Sequence, residues 1–453
     1  LGKTNISRGA PGYAGSNTGN RKSHKQFQAT KMTTATFANS KKIFISGIGG
    51  IGVSALARYY LAKGHKVSGS DLVSSEITAA LQKEGAKITI GKNVVKKDAD
   101  LTIYSLAVPQ PPSSSNMMSY PEALGELSKR HFTIAVSGTH GKSTTTAMIG
   151  LILIKAGLNP TVVLGTKLKE FGNSNFRMGG FPEKRYTLHA TRYKYLVIEA
   201  DEHFASFLNY WPKMIVVTNI DREHLDFYKN FENVKKTFKK FIGKLPKNGV
   251  LISEKSVKPE NVKKVKKILK IPGSHNAYNA ALALNAARAL KIPDRVSLKA
   301  ISEYKGSWRR FEITKTLYPK PLTLISDYAH HPTEIKVTLK AAREKYPKKK
   351  IWCVFQPHQY QRTYYLFDDF VRVFRQAPVD KLIIADIFDV AGRENKKIKE
   401  KVSSEKLVKA INRDFALFLP SDRIRKYLKK NSKDNEVVII MGAGDIYKIW
   451  EEF

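Results

Sequence analysis

Two glycine-rich stretches of the 453-residue chain carry residues suited to phosphate chemistry. The first is Gly47-Ile48-Gly49-Gly50-Ile51-Gly52, between a β-rich run, Lys42 to Ser46, and a stretch of helical periodicity, Gly52 to Lys63. Glycines at Gly47, Gly49, Gly50 and Gly52 let the backbone turn tightly and approach a pyrophosphate, and the helix start offers free N–H groups and partial positive charge. Ser70 and Asp71 follow a second strand, Lys66 to Gly69, and Asp71 stands where a ribose-binding acid would sit. Alone, this pattern indicates a dinucleotide site, or else a tight strand–helix turn with no ligand.

The second stretch, Val136-Ser137-Gly138-Thr139-His140-Gly141-Lys142-Ser143-Thr144, joins a strand, Phe132 to Val136, to a helix. A Gly-Lys-Ser at such a junction is a phosphate cradle. Backbone amides from Gly138 to Thr144 wrap the phosphates, Lys142 reaches the β and γ groups, and the Ser143 hydroxyl ligates Mg²⁺. The strict pattern has glycine where Val136 stands, so this is a variant loop. Lysine in a glycine turn has little structural purpose, and the stretch predicts ATP as a co-substrate. Further metal ligands are expected at the C-terminal ends of strands. Tyr195 to Ile198 runs into Glu199-Ala200-Asp201-Glu202, and Met214 to Val217 into Thr218-Asn219-Ile220-Asp221-Arg222-Glu223-His224. Glu199 and His224 are the leading metal candidates, although acids at strand ends are also common as helix N-caps.

The elements that must position these residues alternate between strand and helix, which predicts an α/β protein with parallel sheets covered on both faces. A third strand-rich block begins near Leu322 to Ile325 and continues through Ile351 to Phe355, Lys381 to Ala385 and Glu436 to Met441. Length agrees with about three domains at roughly 150 residues each. The expected division is a basic disordered tail over 1–40, then α/β domains over 41–131, 132–313 and 314–453. The tail is rich in Ser, Thr, Gly and Asn and contains no acid. Met32 offers a plausible start, and an upstream extension is favoured over a targeting peptide.

Lys and Arg number 78 against 39 Asp and Glu, a formal charge of +39. The basic residues are spread along the whole chain, without an arginine cluster interleaved with aromatics, so no nucleic-acid partner is expected. A positive field also attracts anionic nucleotides. No apolar run approaches the roughly 18 residues of a membrane span, so no stable membrane insertion is expected. The longest run, Ala147 to Leu158, reads as a helix packed on a sheet. Cys353 is the single cysteine, expected to be a buried thiol. No intrachain disulfide is possible, and a reducing, cytoplasmic setting is expected.

The order of motifs resembles the Mur ligase family, and within it the alanine-adding branch. The likeness runs from about Lys41 to Ile449. It covers both glycine loops with Ser70-Asp71, then Glu199-Ala200-Asp201-Glu202, Thr218-Asn219-Ile220 with His224, and Gly273-Ser274-His275-Asn276 with Asn279. It continues through Arg309-Arg310-Phe311-Glu312, Asp327-Tyr328-Ala329-His330-His331-Pro332, Phe355-Gln356-Pro357-His358 with Arg362, and Met441-Gly442-Ala443-Gly444-Asp445. The resemblance implies an ATP- and Mg²⁺-dependent ligase joining L-alanine to UDP-N-acetylmuramic acid through an acyl phosphate, in peptidoglycan precursor synthesis. It implies that the first domain, Rossmann-like, holds the UDP part through Gly47, Gly49, Gly50, Gly52, Ser70, Asp71 and Ser105. The middle domain would bind ATP through Gly138, Thr139, His140, Gly141, Lys142, Ser143 and Thr144, with His275 and Asn276 on the adenine side. Ser143, Glu199 and His224 would hold the metal. The third domain, also Rossmann-like, would close over the site with Arg310, Asp327, His330 and Arg362. Of these, Asp327 would help hold the nucleotide, while His330 and Arg362 would face the amino acid or the nascent bond.

The chain departs from the family pattern in places. Gln359 stands where arginine is usual, His203-Phe204 replace Ser-Asp after Glu202, Ser274 replaces a common arginine, and the stretch between Gly179 and Tyr195 is long. A branch that attaches a ready-made tripeptide shares the motif order, but the Asp327-Tyr328-Ala329-His330-His331 form favours the alanine branch. A nucleic-acid-dependent ATPase would account for the charge and the second loop, yet would leave Gly47 to Gly52 and His330-His331 unexplained.

Overall fold

The computed structural model describes residues 40–94, 96, 98–108, 116–182, 193–315, 321–389 and 396–451. The tail expected over 1–40 therefore lies, except for Ser40, outside the described residues, as does most of the long stretch before Tyr195.

Apolar β-branched runs bounded by turn residues form three sheets. The first contains β1 (Lys42–Ser46), β2 (Lys66–Asp71), β3 (Lys87–Ile90), β4 (Leu101–Tyr104) and β5 (Met117–Ser119), all parallel, in the order β3-β2-β1-β4-β5. The second contains β6 (Phe132–Ser137), β7 (Thr161–Leu168), β8 (Ser174–Arg177), β9 (Tyr195–Ala200), β10 (Met214–Val217) and β11 (Val250–Ile252), in the order β11-β10-β6-β9-β7-β8. The third contains β12 (Glu312–Lys315), β13 (Thr323–Asp327), β14 (Ile351–Phe355), β15 (Lys381–Ile384), β16 (Ala416–Phe418) and β17 (Val437–Met441), in the order β12-β13-β17-β14-β15-β16.

The expectation of parallel sheets needs correction at two edges. Strand β8 runs antiparallel to β7, and β12 antiparallel to β13. Each pair is joined by too few residues to hold a crossover helix, so the chain must return in the opposite direction.

The middle sheet shows how the core fixes the site. Strands β9 and β10 are almost wholly buried, as expected for parallel strands covered on both faces. The helix Lys142–Lys155 buries Ala147, Met148, Ile149, Ile152 and Leu153, so the apolar run expected there does pack on the sheet. The alanine-rich helix Ser274–Ala289 packs with it in one core through Ala277, Ala280 and Ala281. Truncating a buried leucine such as Leu153 to alanine would cost about 2–5 kcal/mol. The second glycine loop is thus anchored at both ends by buried structure. Cys353 is fully buried in β14. Among the described residues no helix is long and apolar enough to cross a membrane.

Candidate active site

Each glycine loop follows a strand, β1 or β6, that leaves towards one side of its sheet beside a neighbour, β4 or β10, that leaves towards the other, which opens a crevice there. After β1, the N–H of Gly49 donates to Asp71 Oδ2 at 2.8 Å, and Asp71 Oδ1 accepts from Leu72 N–H at 2.8 Å. A Cβ on Gly49 would lie 3.0 Å from that carboxylate and 2.9 Å from Thr78, so only glycine allows the approach. Asp71 braces the loop. Ser70 Oγ accepts from Val94 N–H at 3.0 Å, and Ser105 lies against Gly47. The structure therefore gathers Gly47, Gly49, Ser70, Asp71 and Ser105 around one crevice. Tyr120 roofs Gly52, where a Cβ would come within 2.9 Å of its hydroxyl. Burial raises the Tyr120 pKa, and the carboxylates of Glu199 and Asp201 add to the rise, which places that ring between the first loop and the second sheet's acids.

After β6, Gly138 adopts φ +133°, and a Cβ there would lie 2.0 Å from Thr218 Oγ1. His140 N–H donates to Asn219 Oδ1 at 2.9 Å, and Thr218 Oγ1 and Asn219 Nδ2 donate to the His140 carbonyl at 2.6 and 2.9 Å. Lys142 Nζ donates to the Gly138 carbonyl at 2.7 Å and lies 2.9 Å from Glu202 Oε2. Burial pushes the Glu202 carboxyl up to about 7 against the pull of Lys142, and Glu202 Oε1 is buried without a hydrogen-bond partner.

The metal candidates fall into two groups. Ser143 Oγ donates to Glu199 Oε2 at 3.0 Å, and Glu199 also accepts the Gly165 N–H. His224 groups with Asp201 and Glu202, with ligating atoms within 4.8 Å of one another. Its ring stacks on His203 at 4.0 Å, so a departure from the family pattern touches a metal candidate directly. Burial lowers the His224 pKa to about 3.

A cavity of about 510 Å³ opens beside the second loop. His140, Gly141 and Thr144 line one side, His275, Asn276 and Asn279 another, and Arg310, Asp327 and Glu334 the third. Its walls thus come from the second sheet, the helix Ser274–Ala289 and the third sheet. Burial pushes Asp327 up to about 6, opposed by Arg310 and by the Ala329 and Phe311 N–H groups that its two oxygens accept at 2.8 and 2.7 Å. Burial lowers His275 to about 4, so its ring is neutral near pH 7.

His330 and His331 hold opposite tautomers. His330 Nδ1 lies 3.1 Å from the Tyr328 carbonyl, which can only accept, so Nδ1 carries the proton and Nε2 the lone pair. His331 Nδ1 accepts the Thr333 N–H at 3.2 Å, and Nε2 donates to the Arg222 carbonyl at 3.1 Å. Arg362 Nε donates to Glu223 Oε1 at 2.9 Å, and Arg362 Nη1 donates to His358 Nδ1 at 3.0 Å. Arg362 and Glu223 are both 8% exposed, a buried ion pair between the second and third sheets.

Residues 42–131 match the Mur ligase family, catalytic domain; residues 136–267 match the Mur ligase middle domain; residues 309–444 match the Mur ligase, glutamate ligase domain. The chain belongs to the Mur ligase family. This Mur ligase is 37% identical to a UDP-N-acetylmuramate–L-alanine ligase of Acetivibrio thermocellus, over 91% of its own chain and 95% of that protein. It is 38% identical to the enzyme of the same name from Aquifex aeolicus, over 91% and 97%. Its structure is similar to the crystal structure of a UDP-N-acetylmuramate–alanine ligase from Thermotoga maritima, with a TM-score of 0.71 and 25% identity over 91% and 98% of the two chains. A murein peptide ligase from Psychrobacter arcticus shares the fold, with a TM-score of 0.66 and 22% identity over 90% and 97%.

Several groups of the candidate site gave no warning in the sequence. Glu334 stands in the first turn of the helix Pro332–Lys345, where an acid reads as a complement to the helix dipole. Asp221 and Glu223 lie in an acidic string in which His224 drew notice as a metal ligand. Their partners, Thr333 and Arg362, are 112 and 139 residues away, so no local pattern marks them.

Proposed function

We propose that this Mur ligase joins L-alanine to the carboxylate of UDP-N-acetylmuramic acid, with cleavage of ATP to ADP and phosphate, in the cytoplasm. The observation that carries the reading is the convergence of the second glycine loop (His140, Gly141, Thr144), the helix carrying His275 and Asn276, and the third-domain side (Arg310, Asp327), from separate parts of the chain, around one nucleotide-sized cavity. The alanine-ligase names of relatives 37–38% identical across nearly the whole chain support L-alanine as the amine.

A domain at 41–131 would hold the UDP part at the first glycine loop, one at 132–313 would bind ATP, and one at 314–453 would close over both. Gly138 to Thr144 would cradle the phosphates, with His275 and Asn276 on the adenine side. Ser143, Glu199, Asp201 and Glu202, whose Oε1 is unpartnered, offer hard oxygen donors that suit Mg²⁺, and His224 would add an imidazole nitrogen. When bound there, Mg²⁺ would supply positive charge to the phosphate oxygens.

A carboxylate does not react with an amine at useful rates, so it must be activated. A muramyl carboxylate oxygen attacks the γ-phosphorus, the bond to the β-phosphate oxygen breaks, and ADP leaves. The alanine amine then attacks the acyl carbon, and the carbon–oxygen bond to phosphate breaks. Every species is anionic, so Lys142 and Arg310 lower both barriers by offsetting charge. His330 Nε2 takes the proton that the amine loses. Closure of the third domain shields the acyl phosphate from water.

Phosphate release from ATP and UDP-N-acetylmuramic acid tests the reading, with L-alanine, a tripeptide, nucleic acid or nothing added. Release that requires L-alanine, with the matching amide, is the expected result. Release with tripeptide alone, or stimulation by nucleic acid alone, would overturn it.

A further inference from the structure

The nucleotide cavity has a carboxylate in its wall. Glu334 is 12% exposed and faces the space where polyphosphate chemistry is proposed. Its oxygens are divided between two domains. Oε1 lies 3.3 Å from His140 Nδ1 on the phosphate loop and 3.8 Å from Arg310 Nη1. Oε2 accepts the main-chain N–H of His330 at 3.1 Å and lies 3.3 Å from His330 Nδ1. Glu334 thus touches the loop that holds the phosphates and the imidazole that faces the nascent bond.

We infer that Glu334 is a positioning residue: it aims the His330 imidazole, with Nε2 as the accepting nitrogen. The inference rests on the ligase reading above. Two neighbouring contacts support it. The Tyr328 carbonyl accepts at Nδ1 and the Glu334 carboxylate lies 3.3 Å from that nitrogen, so its charge favours the proton there and the ring has one stable tautomer. Glu334 also sits on the helix that starts at Pro332, capped by His331, whose Nε2 donates to Arg222 of the second domain. The carboxylate is therefore fixed by that docking. Burial alone would raise its pKa, but His330, His140 and Arg310 around it hold it well below the usual carboxylate range. It is an acceptor at all working pH values.

The bland alternative is that Glu334 only favours its helix N-terminus, worth about 0.3–1 kcal/mol. The two roles separate when the attacking nucleophile is changed. Alanine's ammonium must lose protons to attack and be consumed, so amide formation depends on a well-aimed base. Hydroxylamine is neutral near pH 7, attacks acyl phosphates without a base, and gives a hydroxamate.

The experiment compares wild type, Glu334→Gln, Glu334→Asp and His330→Asn, with UDP-N-acetylmuramic acid, ATP and either L-alanine or hydroxylamine. For Glu334→Gln the expected result is a fall in kcat for alanine of about 10²-fold. Hydroxamate formation and the KM for ATP should stay within about threefold of wild type. Glu334→Asp should show the same pattern more weakly, and it stands in if the Gln variant does not fold. Adding Glu334→Gln to His330→Asn should cause little further loss, because the carboxylate acts through the ring. Equal loss of amide and hydroxamate, or additive losses in the double variant, would overturn the inference. A wild type that makes hydroxamate but no alanine amide would overturn the choice of alanine instead. A wild type that makes neither would overturn the ligase reading itself.

Discussion

Lys142 is held at three points: two carbonyls of its own loop and the Glu202 carboxylate. Replacing it with alanine removes the ammonium that, on the proposed function, would meet the phosphates. Turnover should fall by about 10³-fold or more, while UDP-sugar binding, measured by calorimetry, should be nearly unchanged. Equal loss of both in a folded variant would contradict the assignment of the two nucleotides to different domains. His140 gives a pH signature. Burial alone would lower its pKa, but Asp221 and Glu334 overcome that and push it up to about 9, with Glu223 adding to the rise. His331 is the other titratable group packed against it, at 4.7 Å between rings. A folded pKa above the unfolded value of about 6.5 means that the native state binds the proton more tightly. The stabilisation is full below about pH 6.5 and is lost as pH rises through about 9. Thermal midpoints should fall across that window, and His140→Gln should flatten the fall; parallel curves would refute this role. Lys142, Ser143, Glu199 and His330 could be named as candidates because each belongs to a short string with a mechanism. Glu334 and Glu223 were not, because their meaning comes from partners on another domain.

At the scale of elements, the glycine loops are legible because a strand end, a turn and a helix start must coincide within a few residues. Strands β10 and β14 occupy the residues expected, and β1 does so as well. Strands β5, β7, β8, β11, β12 and β16 were missed. β8 is only four residues long, Ser-Asn-Phe-Arg, and its polarity suits a sheet edge and not a buried strand. The loop's shape makes a sharp prediction. Gly138→Ala would force a Cβ into Thr218 and Asn219 at a backbone angle that L-residues rarely adopt. The strain should cost about 1–3 kcal/mol and displace the amides that would wrap the phosphates. ATP turnover should be lost in a protein that still unfolds cooperatively in urea, and unchanged kinetics would show that this turn does not set the site.

At the scale of the whole molecule, the third sheet is docked on the second by polar contacts, the buried Arg362–Glu223 pair among them. Arg362 pairs with Glu223, Thr333 Oγ1 donates to Asp221 at 2.8 Å, and His331 donates to Arg222. Removing one member of a buried pair strands the other charge, so Arg362→Met should cost about 3–5 kcal/mol in urea unfolding. Adding Glu223→Gln should recover much of that loss, and no recovery would mean that the pair is incidental to docking. Three domains were legible from three blocks of alternating strands and helices; their docking was not, since it depends on side chains far apart in sequence. The central claim is that ATP activates the sugar's carboxylate for attack by L-alanine. The most direct test uses UDP-N-acetylmuramic acid labelled with ¹⁸O in that carboxylate and reads the released phosphate by mass spectrometry. The account predicts that phosphate released in the presence of L-alanine carries one ¹⁸O, in step with amide formed. Unlabelled phosphate would mean that water, and not the carboxylate, takes the phosphoryl group, and would contradict the account.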